Sequence, residues 1–596
     1  MTTPAQRLAQ LRNAMKQHGF DAWIIPTADP HLSEYLPEHW QTRAWLSGFT
    51  GSAGTLAVTV DDAALWADSR YWEQAETQLA GSGIHLEKIG LNGNHIDWLA
   101  EKLPAGATVG IAADMLSLAE KRRLQAAFAN KKITLREGQD IINDFYSDRP
   151  ALPCEKIYIH QARYTAETAR EKLARVRAFM QEKGAIHHLI SALDDIAWLT
   201  NLRGNDVSYN PVFLAHLLID EQQAVLFVDE TKLGKPEREQ LAAANIRTAA
   251  YHELPQAIAE LSGSLLLSPA KVAVSSLACL SENVKLIEHT NPSTLFKSVK
   301  SDSEIEHIRQ AMIEDGVALC GFFAEFERKL ANGEAMNELD ISDMLTAHRS
   351  RRPGYISPSF GTIAGFNANG ALPHYSATPE AHSQISGNGL LLIDSGAQYE
   401  GGTTDITRVV PVGTPSGEQK RDYTQVLKAH IALARAVFPE NLPAPLLDAV
   451  CRMPLWQAQC EFGHGTGHGV GYFLNVHEGP QMISYRAMPQ LETAMKSGMI
   501  TSNEPGLYRS GKWGIRIENL IVNRPVAQPQ ETEFGTFLCF ETVTLCPIDT
   551  RLIDTGLLTN EETAWLNNYH ATVFEKLEPL TEGEAKAWLI ERTRTI

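Results

Sequence analysis

The stretch "LLLIDSGAQYEGGTTDITRVVPV", residues 390–412, places two apolar runs on either side of a glycine pair. The first run reads as a buried strand that ends in Asp394. Asp405 follows in a second strand-like run, "TTDITRVVPV". Gly401 and Gly402 permit a hairpin between them, which would set the two carboxylates side by side. Close carboxylates repel, and one pKa rises unless a cation neutralises the pair. An Asp at a strand end is ordinarily a turn or cap residue, so this pair decides nothing without company.

Company lies downstream. "HGTGHGVGYFLNVHEGP", residues 464–480, carries three histidines and five glycines. "TSNEPGLYRSGKWGIRIENL", residues 501–520, places Glu504 after a strand-like run. It also sets Arg516 and Glu518 on one strand face, with the isoleucines on the other. Each island has a plain alternative, a packed Gly-rich turn or a solvated strand face. Together, two Asp, one or two His and two Glu make a mainly oxygen ligand set, which suits a pair of divalent ions. Such a pair can hold a bridging hydroxide at neutral pH, which points to hydrolysis. The sequence has no G-x-S-x-G elbow, H-E-x-x-H, P-loop or G-x-G-x-x-G.

At 596 residues the chain is too long for one core, and a prior of roughly 150 residues per domain predicts three or four. The net charge of −18 argues against nucleic-acid or anionic-membrane partners. The start lacks a signal-peptide apolar stretch, and no run of ~18 apolar residues predicts a membrane span. Seven scattered cysteines without C-x-x-C fit a reducing cytoplasm, not a zinc knuckle or disulfide scaffold.

The first half repeats itself. "RLAQLRNAMKQHGFDAWII" (7–25) lies without gaps over "KLARVRAFMQEKGAIHHLI" (172–190), each reading as a helix, a Gly stop and a strand. "AWLSGFTG" matches "AWLTNLRG", and "AALWAD" matches "AVLFVD". Two copies of one α/β unit are therefore expected, at 1–150 and 151–302. A catalytic region follows at 303–540, opening on a helix that Ser301 or Ser303 can cap. A helical extension at 541–596 includes the helix start "TNEE". His187 and His188 read as structural or surface residues, and Arg70 in "WADSRYW" as half of a surface ion pair.

These islands, in this order, resemble the metallopeptidases of the pita-bread fold, which include methionine aminopeptidase, prolidase, creatinase and aminopeptidase P. "SEYLPEHWQTRAWLSGFTGSAGTLAVT", "WADSRYW", "FLNVHEGP", "EPGLY", "GIRIENL" and "WLNNYH" are similar to the large, three-domain, cytosolic Xaa-Pro aminopeptidases over nearly the whole chain. The resemblance implies two creatinase-N-terminal-like α/β domains, then a pita-bread domain with a helical C-terminal extension. It implies that Asp394, Asp405, His468, Glu504 and Glu518 bind two divalent ions, Mn²⁺ foremost, with Co²⁺ or Zn²⁺ as alternatives. Glu504 would also be the general base, and the N-terminal Xaa-Pro bond of peptides would be cut by a metal-bridging hydroxide. His374 and His477 would contact substrate and move protons, and His464 would line the pocket. Arg70 would contact the peptide, while Tyr508 and Arg516 would brace the site. The family further implies a cytoplasmic homodimer. Asn503 departs from the Asp of many relatives, which touches metal affinity and removes no ligand. The glycines of 464–480 are expected to let the backbone approach the ions.

A prolidase restricted to dipeptides is the rival reading. The two N-terminal copies and the long tail speak against it. A non-catalytic binding protein on the same fold is the other rival, and the complete ligand set speaks against that.

Overall fold

The computed structural model describes residues 2–596. Contacts group the chain into two compact units. One comprises residues up to His160 together with Glu167–Ser293, and the other Gln161–Ala166 with Thr294–Ile596.

The repeat is visible in the first unit as two six-stranded sheets. The first contains β1 (Ala22–Pro26), β2 (Thr55–Thr59), β3 (Ala63–Ala67), β4 (His85–Lys88), β5 (Thr108–Ala112) and β6 (Thr134–Gly138). The second contains β7 (His187–Ile190), β8 (Ala215–Ile219), β9 (Ala224–Val228), β10 (Ile246–Ala250), β11 (Ser264–Leu267) and β12 (Lys285–Glu288). Strand orders are β4-β3-β2-β1-β5-β6 and β10-β9-β8-β7-β11-β12, the same path drawn twice.

Local chemistry explains the match. Thr3 with Gln6 and Thr168 with Glu171 form capping boxes at the starts of helices Pro4–His18 and Ala169–Lys183. Gly19 and Gly184 end those helices at φ 69° and 71°, a left-handed turn that only glycine makes without strain. Buried Leu8, Leu11 and Met15 fall on Leu173, Val176 and Met180. His188 is structural: it is buried and its Nδ1–H donates to the Leu266 carbonyl at 2.9 Å. Burial drives its pKa down to about 4.

The second unit opens on helix Asp302–Ala331, whose cap is Ser301 with Glu304. Strand Gly389–Ser395 runs antiparallel between Ile363–Phe366 and Ile406–Val412. Leu390 and Leu392 enter one buried cluster with Tyr423 and Leu427, while Leu391 and Ile393 enter another with Phe322 and Phe323. Burial on both faces explains an unbroken apolar run in place of alternation. Strand Asn519–Pro525 lies between Ile500–Asn503 and Phe537–Thr542. Helix Asn560–Leu577 begins at "TNEE" as expected, with Thr559 and Glu562 as its capping box. Among the described residues no helix is long and apolar enough to cross a membrane.

Candidate active site

The hairpin forms, and in it Asp394 stands opposite Thr407. An inner pairing of Gln398 with Thr403 and Tyr399 with Gly402 closes it. Asp405 falls just before strand Ile406–Val412, not within it. Both carboxylates are buried.

The histidine segment is stitched to strand Ile500–Asn503. The His468 amide donates to Ser502 Oγ at 3.0 Å, and the Glu504 amide donates to the Thr466 carbonyl at 2.8 Å. The glycines serve this backbone packing. A Cβ on Gly467 would lie 1.9 Å from the Ser502 carbonyl oxygen, and one on Gly469 would lie 2.1 Å from that of Glu478. At these two positions the glycines admit neighbouring main chain.

Arg516 and Glu518 meet on one face as the alternation predicts, although the strand breaks between them, at Arg516 and Asn519. Arg516 Nε and the Glu518 carboxylate both reach Thr407 Oγ1, at 3.1 and 2.7 Å. Ile515 and Ile517 enter the core. Arg516 also donates to Asp394 Oδ2 and to the Tyr508 hydroxyl, both at 2.6 Å.

Asp405, His468 and Glu518 each offer a ligand atom, and these atoms lie within 4.8 Å of one another. His468 Nδ1 is 3.0 Å from the Gly469 carbonyl, which can only accept, so Nδ1 carries the proton. The other ring nitrogen, Nε2, lies 3.6 Å from both Asp405 Oδ2 and Glu504 Oε1. Burial, then Glu518, Asp394 and Glu504, push Asp405 well above the usual carboxylate range. Burial, then Asp394 and Glu504, do the same to Glu518. Asp394 Oδ1 is buried without a hydrogen-bond partner. Four carboxylates around one guanidinium leave an excess of negative charge that divalent cations would neutralise. The donor set fits a metal centre.

Comparison with known proteins agrees. Residues 306–525 match the model of metallopeptidase family M24. Residues 7–144 and 148–304 each match the creatinase/prolidase N-terminal domain, and 536–596 match the C-terminal region of peptidase M24. Aminopeptidase P2 of Arabidopsis thaliana is 39% identical, covering 99% of this chain and 88% of its own. The chain belongs to the Xaa-Pro aminopeptidases of family M24. Xaa-Pro aminopeptidase 1 of Dictyostelium discoideum is 36% identical over 97% of the chain and 94% of its own. A crystal structure of X-prolyl aminopeptidase from Caenorhabditis elegans, described as a cytosolic enzyme with a di-nuclear active site, superposes with TM-score 0.95 at 30% identity and covers both chains fully.

The remaining candidates of this aminopeptidase lie in the same unit as the cluster, Arg70 excepted. His464 Nδ1–H donates to the Gly465 carbonyl, and Nε2 accepts from the Tyr508 hydroxyl, both at 2.8 Å. Burial pushes Tyr508 up to about 12, so it remains a donor at neutral pH. The His477 ring meets the His468 ring edge-on, with centroids 4.3 Å apart. His374 lies half-buried on the turn after Asn367–Ala371. The preceding carbonyl, of Pro373, accepts from Arg516 at 3.4 Å. Arg70 belongs to the other unit, where Asp68 grips it through two bonds of 2.8 Å.

Several supporting residues escaped the sequence reading. Buried Glu338 accepts from the Phe366 and Ser383 amides at 2.7 Å and from the Tyr375 hydroxyl at 2.8 Å, anchoring the His374 turn. Lys300 and Lys297 grip Glu478 at 2.6 and 3.1 Å, fixing the neighbour of His477. Arg452 pairs with Asp448 at 2.9 Å and donates to the carbonyls of Phe462 and His464 at 2.9 and 2.6 Å. An arginine four residues after an aspartate on a helix reads as a solvated pair, and nothing local marks it as buried.

Proposed function

We propose that this enzyme releases the first residue of peptides whose second residue is proline, at two divalent ions held by Asp394, Asp405, His468, Glu504 and Glu518. The observation that carries the reading is the His468 imidazole. Its Nδ1 is held by the Gly469 carbonyl and its Nε2 lies 3.6 Å from carboxylate oxygens of Asp405 and Glu504, with Asp405, His468 and Glu518 offering ligand atoms within 4.8 Å of one another. When bound, the ions supply a hydroxide nucleophile at neutral pH and polarise the scissile carbonyl. Mn²⁺ is the proposed metal, with Co²⁺ and Zn²⁺ as alternatives.

The chain's own residues do the rest. Glu504 keeps 19% of its side chain exposed while Asp405 and Glu518 are buried, so it can reach water and serve as general base. The bond before proline is a tertiary amide with a fixed φ and no N–H. Its nitrogen must leave with a proton, and His374 and His477 are the proposed donors. His464 lines the pocket, and Tyr508 and Arg516 hold His464 and Asp394 in place. Arg70 is the proposed contact for the peptide, since its Asp68-held guanidinium remains partly exposed.

Cleavage of X-Pro, X-Pro-Y and longer peptides, followed by chromatography, tests the substrate class. Release of the first residue from X-Pro-Y and longer peptides is expected. Cleavage of dipeptides alone would make the chain a prolidase.

We also propose a cytoplasmic homodimer. Helix Asp448–Gln457 turns Val450, Met453 and Trp456 outward, beside exposed Leu446. Tyr485 extends this apolar face, its ring 6.5 Å from that of Trp456, and contiguous exposed apolar surface of this kind marks an interface. Sedimentation of the natural chain should show a dimer that Met453→Asp splits. A natural chain that sediments as a monomer at micromolar concentration would refute this.

A further inference from the structure

The C-terminal extension carries no candidate residue, yet one of its side chains ends in the network behind the carboxylate cluster. Arg408, in strand Ile406–Val412, is buried, and all its partners are neutral oxygens. Nη1 donates to the carbonyls of Thr407 and Glu518 at 2.9 and 2.7 Å. Nη2 donates to Asn519 Oδ1 at 2.7 Å, the Cys546 carbonyl at 2.8 Å and the Tyr569 hydroxyl at 3.0 Å. Nε donates to the Pro547 carbonyl at 3.1 Å.

Tyr569 lies in helix Asn560–Leu577, its ring stacked on Trp565. Its hydroxyl donates to the carbonyls of Cys546 and Thr544, at 2.8 and 3.0 Å. From Asn519 the chain of bonds continues. Asn519 Nδ2 donates to His430 Nε2 at 3.2 Å, and His430 Nδ1 donates to the Asn503 carbonyl at 3.1 Å. Asn503 Nδ2 returns to the His430 carbonyl at 2.9 Å. All three side chains are buried.

The sequence positions give this network its meaning. Asn503 precedes Glu504, Asn519 follows Glu518, and the two asparagines stand opposite each other across the strands. Neighbours along an extended chain point to opposite sides, so the network occupies the side away from the ions and grips the backbone on which two proposed ligands stand. We infer that Tyr569, acting through Arg408, Asn519, His430 and Asn503, positions Glu504 and Glu518, so that the C-terminal helix is part of the metal centre. This rests on the ligand assignment proposed above.

The test is calorimetric titration of Mn²⁺ into the chelator-treated full-length chain and two variants. Tyr569→Phe removes one hydroxyl and keeps the ring. Thr581→Val removes a buried hydroxyl of the same extension that bonds only to the carbonyls of Leu577 and Glu578. Loss of a partner behind a ligand typically weakens metal binding about 10–100-fold. Tyr569→Phe is expected to weaken Mn²⁺ binding about tenfold, with Thr581→Val binding as the natural chain does. Equal affinity in all three, or equal weakening in both variants, would overturn the positioning role while leaving the ligand assignment intact. A natural chain that binds no Mn²⁺, Co²⁺ or Zn²⁺ would overturn both.

Discussion

Asp405→Asn should lower turnover of an X-Pro-Y peptide about a thousandfold or more, because metal-assisted charge stabilisation is worth several kcal/mol and each ~1.4 kcal/mol is tenfold. Elemental analysis should show the bound metal falling with it. The same substitution should raise the thermal midpoint of the chelated protein. Without ions, burial and three neighbouring carboxylates work against the Asp405 charge, so the folded state carries a cost that a neutral amide removes. Loss of activity with a gain in metal-free stability is the signature of a residue kept for its ligand. Full metal content with unchanged turnover would instead remove Asp405 from the ligand set.

The second large effect belongs to a residue outside the cluster. Arg452→Met should destabilise the catalytic unit by about 3–5 kcal/mol, the usual result of stranding one member of a buried ion pair. Asp448 is fully buried, and besides Arg452 it accepts only from Thr466 Oγ1 and the Tyr485 amide, neither of which carries charge. The carbonyl of His464 would also lose its donor, so turnover should fall as well. Replacing both partners, Arg452→Met with Asp448→Leu, should recover part of the stability, since no buried charge is then left alone while the Tyr485 amide and the Phe462 and His464 carbonyls still lack partners. Denaturation of the two variants measures this. A single variant within about 1 kcal/mol of the natural chain would contradict the assignment of a buried pair.

Legibility followed distance along the chain. Ser301 and Thr559 announce their helices because capping is decided within four residues. The repeated copies were legible for the same reason, since apolar stripe, glycine stop and strand recur in order. The Asp394–Asp405 hairpin is likewise local. The approach of His468 to Glu504 and Glu518 is not, and spacing alone left those residues with plain alternatives; resemblance to a family supplied the connection. Arg408 did leave a trace, a charged residue within the apolar run "ITRVVPV". Arg452 and Glu338 left none, because a charged residue on a helix reads as solvated until the layer above it is known. The glycines of 464–480 stand out for close approach, and at Gly467 and Gly469 the main chain of Ser502 and Glu478 lies that close.

The most direct measurement of the central claim is peptide cleavage after exhaustive chelation, with Mn²⁺, Co²⁺ or Zn²⁺ then returned singly. Cleavage of X-Pro-Y should vanish with the chelator and return with at least one ion, Mn²⁺ foremost. Cleavage that persists in the metal-free chain, or that no divalent ion restores, would contradict a metal centre built on Asp394, Asp405, His468, Glu504 and Glu518.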